Sequence, residues 1–151
     1  FYVDASQCST KNEFTRAIAK AVGVDDTGKL AAMRANIKYA LKALPNPVVI
    51  VDEAGDLDEK AFQLLKEFWN ATENACGWYM MGADGLREKI ERNIRYKKVG
   101  WREVFNRYND RFNTIVPTDK DDKVAFYRKM ITDVLKANMT DLKTIPEIEN
   151  R

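Results

Sequence analysis

"PVVIVDEAGDL", Pro47 to Leu57, runs four β-branched residues straight into two carboxylates, Asp52 and Glu53. A continuous apolar run such as Val48–Val51 suits a central strand of a parallel sheet, covered on both faces. Charge does not belong inside such a strand, so Asp52 and Glu53 mark its carboxyl end, where open α/β sheets bind their ligands. Neighbouring residues on a strand point to opposite sides, and the two carboxylates are therefore expected to take separate tasks. Asp52 suits a hard cation such as Mg²⁺, which keeps most of its waters and takes one or two carboxylates. Glu53 is then placed to polarise an attacking water. The competing reading is that both acids serve the dipole of the next helix, a contribution of up to ~1 kcal/mol. Asp56 and Asp58 lie nearer that helix and can cap it instead.

Outward from this stretch, short apolar runs alternate with amphipathic segments, the pattern of β-α units around a parallel sheet. Phe1–Ala5 reads as the first strand. Thr10 and Glu13 form a capping box, Phe14, Ala17, Ile18, Ala21 and Val22 recur at helical spacing, and Gly23 closes the helix. Thr27 is placed to cap a second helix with a stripe of Leu30, Met33, Ile37, Leu41 and Leu44, stopped by Pro45 and Pro47. A third helix is expected from about Glu59 to Ala75, with Phe62, Leu65, Phe68, Trp69 and Thr72 facing inward. The aromatics of that stripe read as core. Gly77–Ala83 is the third strand. A helix through Leu86, Ile90 and Ile94 follows, breaks near Gly100 and resumes, and "NTIVP", residues 113–117, reads as a short fourth strand. From Asp119 the pattern is helix alone, with Val124, Tyr127, Ile131 and Val134 on one face. Residues 1–117 are thus expected to form an α/β core and residues 118–151 a helical segment.

Composition narrows the class. A chain of 151 residues, 45% hydrophobic and 32% charged, with a net charge of +2, describes one globular domain with a sizeable core. There is no histidine, and Cys8 and Cys76 lie far apart, which excludes a zinc site and favours free thiols in a reducing, cytoplasmic setting. No apolar run approaches the ~20 residues of a membrane span. "FYVDAS" opens inside a strand and "IPEIENR" stops where a helix could begin, so both ends read as cut.

The run "PVVIVDEAGDLDEKAFQLLKEFWN" resembles the Walker B strand and following helix of an AAA+ P-loop ATPase. Phe1 to about Pro117 is similar to the ATPase domains of DNA transposition proteins, namely Mu transposition protein B and its TnsC/TniB-type relatives. The resemblance implies a three-layer AAA+ core followed by the start of a helical lid. By the same resemblance Asp52 would hold Mg²⁺ through water, and Glu53 would activate the water that attacks ATP. The end of "GWYMMGA" would be the sensor position, normally Asn, Ser or Thr; Asp84 stands there instead, and a cap for a helix starting at Gly85 is an equal reading.

An arginine near "NRYNDRFN" would reach the γ-phosphate of a neighbouring subunit in a homo-oligomer, with Arg111 the first choice and Arg107 the second. These two lie four apart, on one helical face, and could instead pair with Asp110 or Glu103. Between Gly85 and Asn113 nine basic residues face four acidic ones, a local +5. With Tyr96 and Trp101 nearby, Arg95, Lys97 and Lys98 are candidate contacts for DNA, although a solvated helix face also explains such a run.

The family's phosphate loop, G-x-x-x-x-G-K-[ST], is absent. "GVDDTGKL", residues 23–30, comes near, but Leu30 stands where a magnesium-binding hydroxyl is required and no strand precedes it. By family topology a strand carrying the loop would lie upstream of Phe1 and pair between those at "GWYMMGA" and "TIVP", leaving a gap or an exposed sheet edge here. The function implied is an ATP-dependent regulator of transposition that binds DNA and transposase. The alternatives are a replication initiator or helicase loader, and a non-hydrolysing DNA- or protein-binding module.

Overall fold

The structure is a computed structural model that describes residues 1–108 and 111–139. Asp110, one of the candidate ion-pair partners, and the chain after Met139 lie outside the described residues. Two compact units divide the chain, residues 1–111 and 112–151.

In the first unit the elements run β1 (Tyr2–Asp4), α1 (Lys11–Val22), α2 (Leu30–Ala43), β2 (Val48–Asp52), α3 (Glu59–Ala71), β3 (Gly77–Met80), α4 (Asp84–Arg95) and α5 (Trp101–Arg107). The strands form one parallel sheet in the order β1-β2-β3. Val51 sits opposite Val3 and Met80, and Asp4 opposite Asp52. The molecule is therefore an α/β fold with a parallel sheet flanked by helices, as expected from the sequence.

Burial along the strands alternates. Val3, Val49, Val51 and Trp78 are buried, whereas Tyr2 is 58% and Tyr79 63% exposed. This departs from the expectation that β2 is covered on both faces: the described helices bury one side of the strands, and a hydrophobic run four residues long does not reveal that. On the covered side lie Phe14 and Ile18 of α1, Met33, Ile37 and Leu41 of α2, and Phe62, Leu65 and Phe68 of α3. Each such side chain contributes about 1.5–3 kcal/mol through burial.

Local signals set most helix ends. Thr10 and Glu13 make the capping box in both directions, and Gly23 closes α1 in the left-handed conformation, φ 82°. Asp58 caps α3 through Ala61 N–H at 2.6 Å. Thr27 does not cap α2; its N–H and hydroxyl both donate to Asp25, at 2.9 and 2.6 Å, and helix α2 starts after Lys29 without a side-chain cap. Aspartate two residues upstream competes for Thr27 and wins by closing a tight local turn. Helix α3 ends at Ala71, earlier than expected. Thr72 then accepts from Trp78 Nε1 at 2.9 Å while donating to Phe68 O at 2.8 Å, so this buried hydroxyl is satisfied twice.

Phe62 of α3 stacks on Trp101 of α5 with ring centroids 4.2 Å apart, an arrangement worth about 0.5–1.5 kcal/mol beyond burial. The chain turns into α5 through Gly100 at φ 85°, where a Cβ would collide with the Gln63 side chain. Only glycine suits both the dihedral and the space.

The second unit contains α6 (Lys120–Asn138), capped by Asp119, which accepts from Asp121 and Asp122 N–H at 2.9 and 3.2 Å. No residue of α6 is buried. Residues 113–117, expected as a strand, form none, and Ile115 is 71% exposed. A strand exists by its ladder, and the β-favouring "TIV" finds no partner strand among the described residues.

Candidate functional site

Asp52 is the last residue of β2, and both of its carboxylate oxygens are engaged. The Tyr2 phenol donates to Oδ2 at 2.7 Å, and Glu53 N–H donates to Oδ1 at 2.9 Å. The bond to Asp52 is also the largest cause that raises the Tyr2 phenol above its usual value.

Glu53 has left the strand. It stands at φ 47°, ψ 38°, the left-handed region, and opens a 3-10 turn over Ala54–Asp56. Pleat alternation therefore does not govern where its side chain goes, a correction to the sequence argument. A non-glycine residue held there carries strain of order 1 kcal/mol, and such strain concentrates at functional positions. Its carboxylate is exposed and has no hydrogen bond or ion pair among the described residues.

The turn after Glu53 is fixed from two sides. Ala54 N–H donates to Met81 O and Asp56 N–H to Glu53 O, both at 2.9 Å. From α4, Lys89 Nζ reaches Gly55 O at 2.7 Å and Leu57 O at 2.6 Å. Partial burial lowers the Lys89 ammonium from its usual value, with Asp56 acting against the shift. Gly55 and Gly82 let the first turn of α4 approach closely, since a Cβ on either would lie 3.4 or 3.1 Å from Leu86.

Asp4 stands across from Asp52 in register, but its Oδ1 already accepts from Ser6 N–H at 2.9 Å and Ser6 Oγ at 2.6 Å. No three potential metal ligands converge among the described residues. A cation here would be held by one or two carboxylates and its own waters, the arrangement Mg²⁺ accepts. Asp52 and Glu53 are the carboxylates that would be available for that.

The remaining candidates are spread out. Asp84 is exposed and is the first residue of α4, not its cap, which is Ala83 without a side-chain bond. Its segment leaves β3 beside the turn that follows Glu53, through the Ala54–Met81 bond. Arg107 is bound within its own unit, donating to Asn70 Oδ1 at 3.0 Å and lying 5.1 Å from the Trp69 ring centroid. That holds it at the end of α3 farthest from Asp52. Arg111 is exposed and lies beyond the end of α5, so the two arginines do not share a helical face. Glu103 pairs with Lys66 rather than with either arginine.

The near-match at residues 23–30 is a helix-to-helix loop carrying the Asp25–Thr27 turn, with Arg16 donating to Asp26 O. Two aspartates in place of a strand and amide cradle make it no phosphate loop.

Arg95, Lys97 and Lys98 come together at the junction of α4 and α5, joined there by Arg102. Sequence reasoning missed Arg102, Tyr2 and Lys89. Arg102 was within the counted basic run and could have been found there. Tyr2 and Lys89 act across 50 and 34 residues of chain, respectively, and a single sequence carries no signal of that pairing.

Both cysteines are free, with Cys8 buried and Cys76 partly so, and burial raises both thiols above their usual value. No helix among the described residues is long and apolar enough to cross a membrane.

No curated protein matches the chain, and no solved structure does. The AAA domain family matches residues 1–90, which run from β1 into α4 and include the strand ends, Asp52 and Glu53. A match over more than half of the 151 residues, on a parallel α/β core with paired acids at the end of its middle strand, places the chain in the AAA domain family of P-loop NTPases.

Proposed function

We propose that this domain is the ATP-hydrolysing core of a DNA-transposition regulator. The observation that carries the hydrolytic part is Glu53: an exposed carboxylate with no partner among the described residues, held in a strained turn directly after Asp52. Mg²⁺, when bound, neutralises phosphate charge. Asp52, its carboxylate oriented by Tyr2 and by Glu53 N–H, would hold that ion through water. Glu53 orients and polarises the attacking water.

Arg111 is the favoured residue for completing a neighbour's site in a homo-oligomer, because the Arg107 guanidinium is already taken up by Asn70 and Trp69. By the resemblance to AAA+ ATPases, helix α6 would belong to the start of a helical lid. ATP state then controls binding of DNA and of a transposase, a role supported by the resemblance of residues 1–117 to transposition ATPases. A replication initiator or helicase loader would use the same two carboxylates.

The rival reading is a non-hydrolysing binding module. Turnover by the full-length protein decides between them. Glu53→Gln is expected to keep ATP affinity within about threefold and to lower kcat by at least about 100-fold, the scale of a general-base loss. Equal loss of binding and turnover would contradict the role given to Glu53. A transposase retained with ATP but not ADP would support the transposition branch; a helicase retained instead would move the protein to the loader branch.

A further inference from the structure

Where α4 ends and α5 begins, the chain builds a cleft of about 480 Å³ lined by Ile94, Arg95, Lys97, Lys98 and Arg102. Four of its five walls are cationic and none is acidic. Arg95, Lys97 and Arg102 have no ion pair among the described residues, and Lys98 has one exposed pair, to Glu59 at 3.1 Å. Like charges crowded together cost free energy, so an arrangement that keeps four cations together with one carboxylate partner is suited to an anion.

The backbone of the cleft is hydrogen-bonded, and of its cationic side chains Lys98 alone has an ion pair among the described residues. Lys97 takes the left-handed conformation at φ 54°. Tyr96, Lys97 and Lys98 N–H donate to Arg92, Ile94 and Asn93 O at 2.9–3.0 Å, and Gln63 Nε2 holds Val99 O at 3.3 Å. Buried Asn93, whose carbonyl accepts from Lys98 N–H, is itself fixed within α4 by donating to Lys89 O at 2.8 Å. Beside the cations, Tyr96 is 72% and Val99 90% exposed. Side chains so placed need no rearrangement of the main chain to meet a ligand, which keeps the ordering cost of binding low.

We propose that this cleft grips the phosphate backbone of DNA, with Lys98 exchanging its ion pair with Glu59 for a phosphate. The inference deepens the DNA-binding part of the function proposed above and is independent of nucleotide hydrolysis. A concave cleft suits a narrow charged rod; an anionic bilayer, the other large polyanion, presents a flat surface. Arginine and lysine are mixed here, and the arginine forks bind phosphate in a way that also holds orientation.

The test is fluorescence anisotropy of the full-length protein with a labelled DNA duplex of about 30 base pairs, with a non-hydrolysable ATP analogue, from about 50 to 200 mM salt. Removing one phosphate-binding cation should flatten the slope of log K against log salt by about 0.9. The triple change Arg95→Gln, Lys97→Gln, Arg102→Gln is therefore expected to reduce the slope by roughly 2.7; an unchanged slope overturns the proposal. Glu59→Gln should tighten binding about threefold or more by releasing Lys98, and Glu103→Gln, which adds the same charge but releases Lys66, should do less. Equal effects overturn the exchange at Lys98. Displacement of the duplex by tripolyphosphate at equal phosphate concentration would mark a small-anion site and overturn the DNA assignment, as would stronger retention on phosphatidylserine vesicles than on DNA. Since no nucleotide is hydrolysed, failure here leaves the Glu53 assignment standing, and failure of Glu53→Gln leaves this one.

Discussion

The phenol oxygen of Tyr108 is buried and has no hydrogen-bond partner among the described residues. Burial raises its ionisation well above the usual value for tyrosine. Below pH ~10 the phenol is neutral in both folded and unfolded chains, so it adds no pH dependence. Above that the unfolded chain gives up the proton and the folded one keeps it, and stability falls as pH rises toward the folded-state value. Tyr108→Phe is expected to flatten this alkaline loss and, by removing an unpaired polar atom, to stabilise the protein by about 1 kcal/mol at neutral pH. Urea unfolding at about pH 7 and pH 10.5 measures both; a Phe variant that is less stable at neutral pH would mean the hydroxyl has a partner. The same scale shows what the sequence could tell. Asp52 and Glu53 were legible because charge at the end of an apolar run is a local anomaly. The Tyr2 phenol that fixes Asp52 and the Lys89 ammonium that fixes the turn after Glu53 were not. Both depend on chain register and helix docking, which residue spacing does not encode.

Element ends divide in the same way. Helix α1 was readable at both ends because its stop and start signals lie within its own sequence: the Thr10–Glu13 box and Gly23 at φ 82°. Thr27 carried the same type of signal and was diverted by Asp25, two residues away. The strand expected at residues 113–117 failed for a larger reason, since β propensity describes a surface ready to pair and cannot supply the neighbour. Thr10→Ala therefore tests the local kind of information directly. It removes the hydroxyl that accepts from Glu13 N–H at 3.3 Å and donates to Glu13 Oε2 at 2.7 Å. The expected cost is about 1 kcal/mol, the usual value for removal of an N-cap, read as a lower denaturation midpoint with unchanged slope. A cost near zero would show that packing of Phe14 and Ile18, which are fully buried, holds the helix without its cap. Glu13 is held below the usual carboxylate range by Thr10. Its contribution is present above about pH 4.5 and fades as pH falls through the lowered value, so the Thr10→Ala deficit should shrink in acid.

Over the whole molecule, stability and helix content are unevenly distributed. Every buried residue among those described lies between Val3 and Val104, inside the first unit, and the 19-residue helix α6 buries none. Most helical stability in proteins comes from packing of an apolar face rather than from propensity. What supports α6 locally is the Asp119 cap, the acids Asp121 and Asp122 at its positive end, and an i,i+4 pair between Lys129 and Asp133 at 3.8 Å. Such pairs contribute only about 0.3–0.5 kcal/mol. Its apolar stripe, Val124, Tyr127, Ile131 and Val134, was correctly periodic in the sequence but is exposed, because periodicity defines a face and says nothing of what covers it. A chain ending at Arg111 keeps every buried residue described, and is therefore expected to keep its cooperative unfolding transition. Near-ultraviolet dichroism should be retained, since Trp69, Trp78 and Trp101 all belong to the first unit. Far-ultraviolet helix signal should fall by the share of α6. A loss of more than about 3 kcal/mol, the scale of a core deletion, would instead show that α6 completes the core.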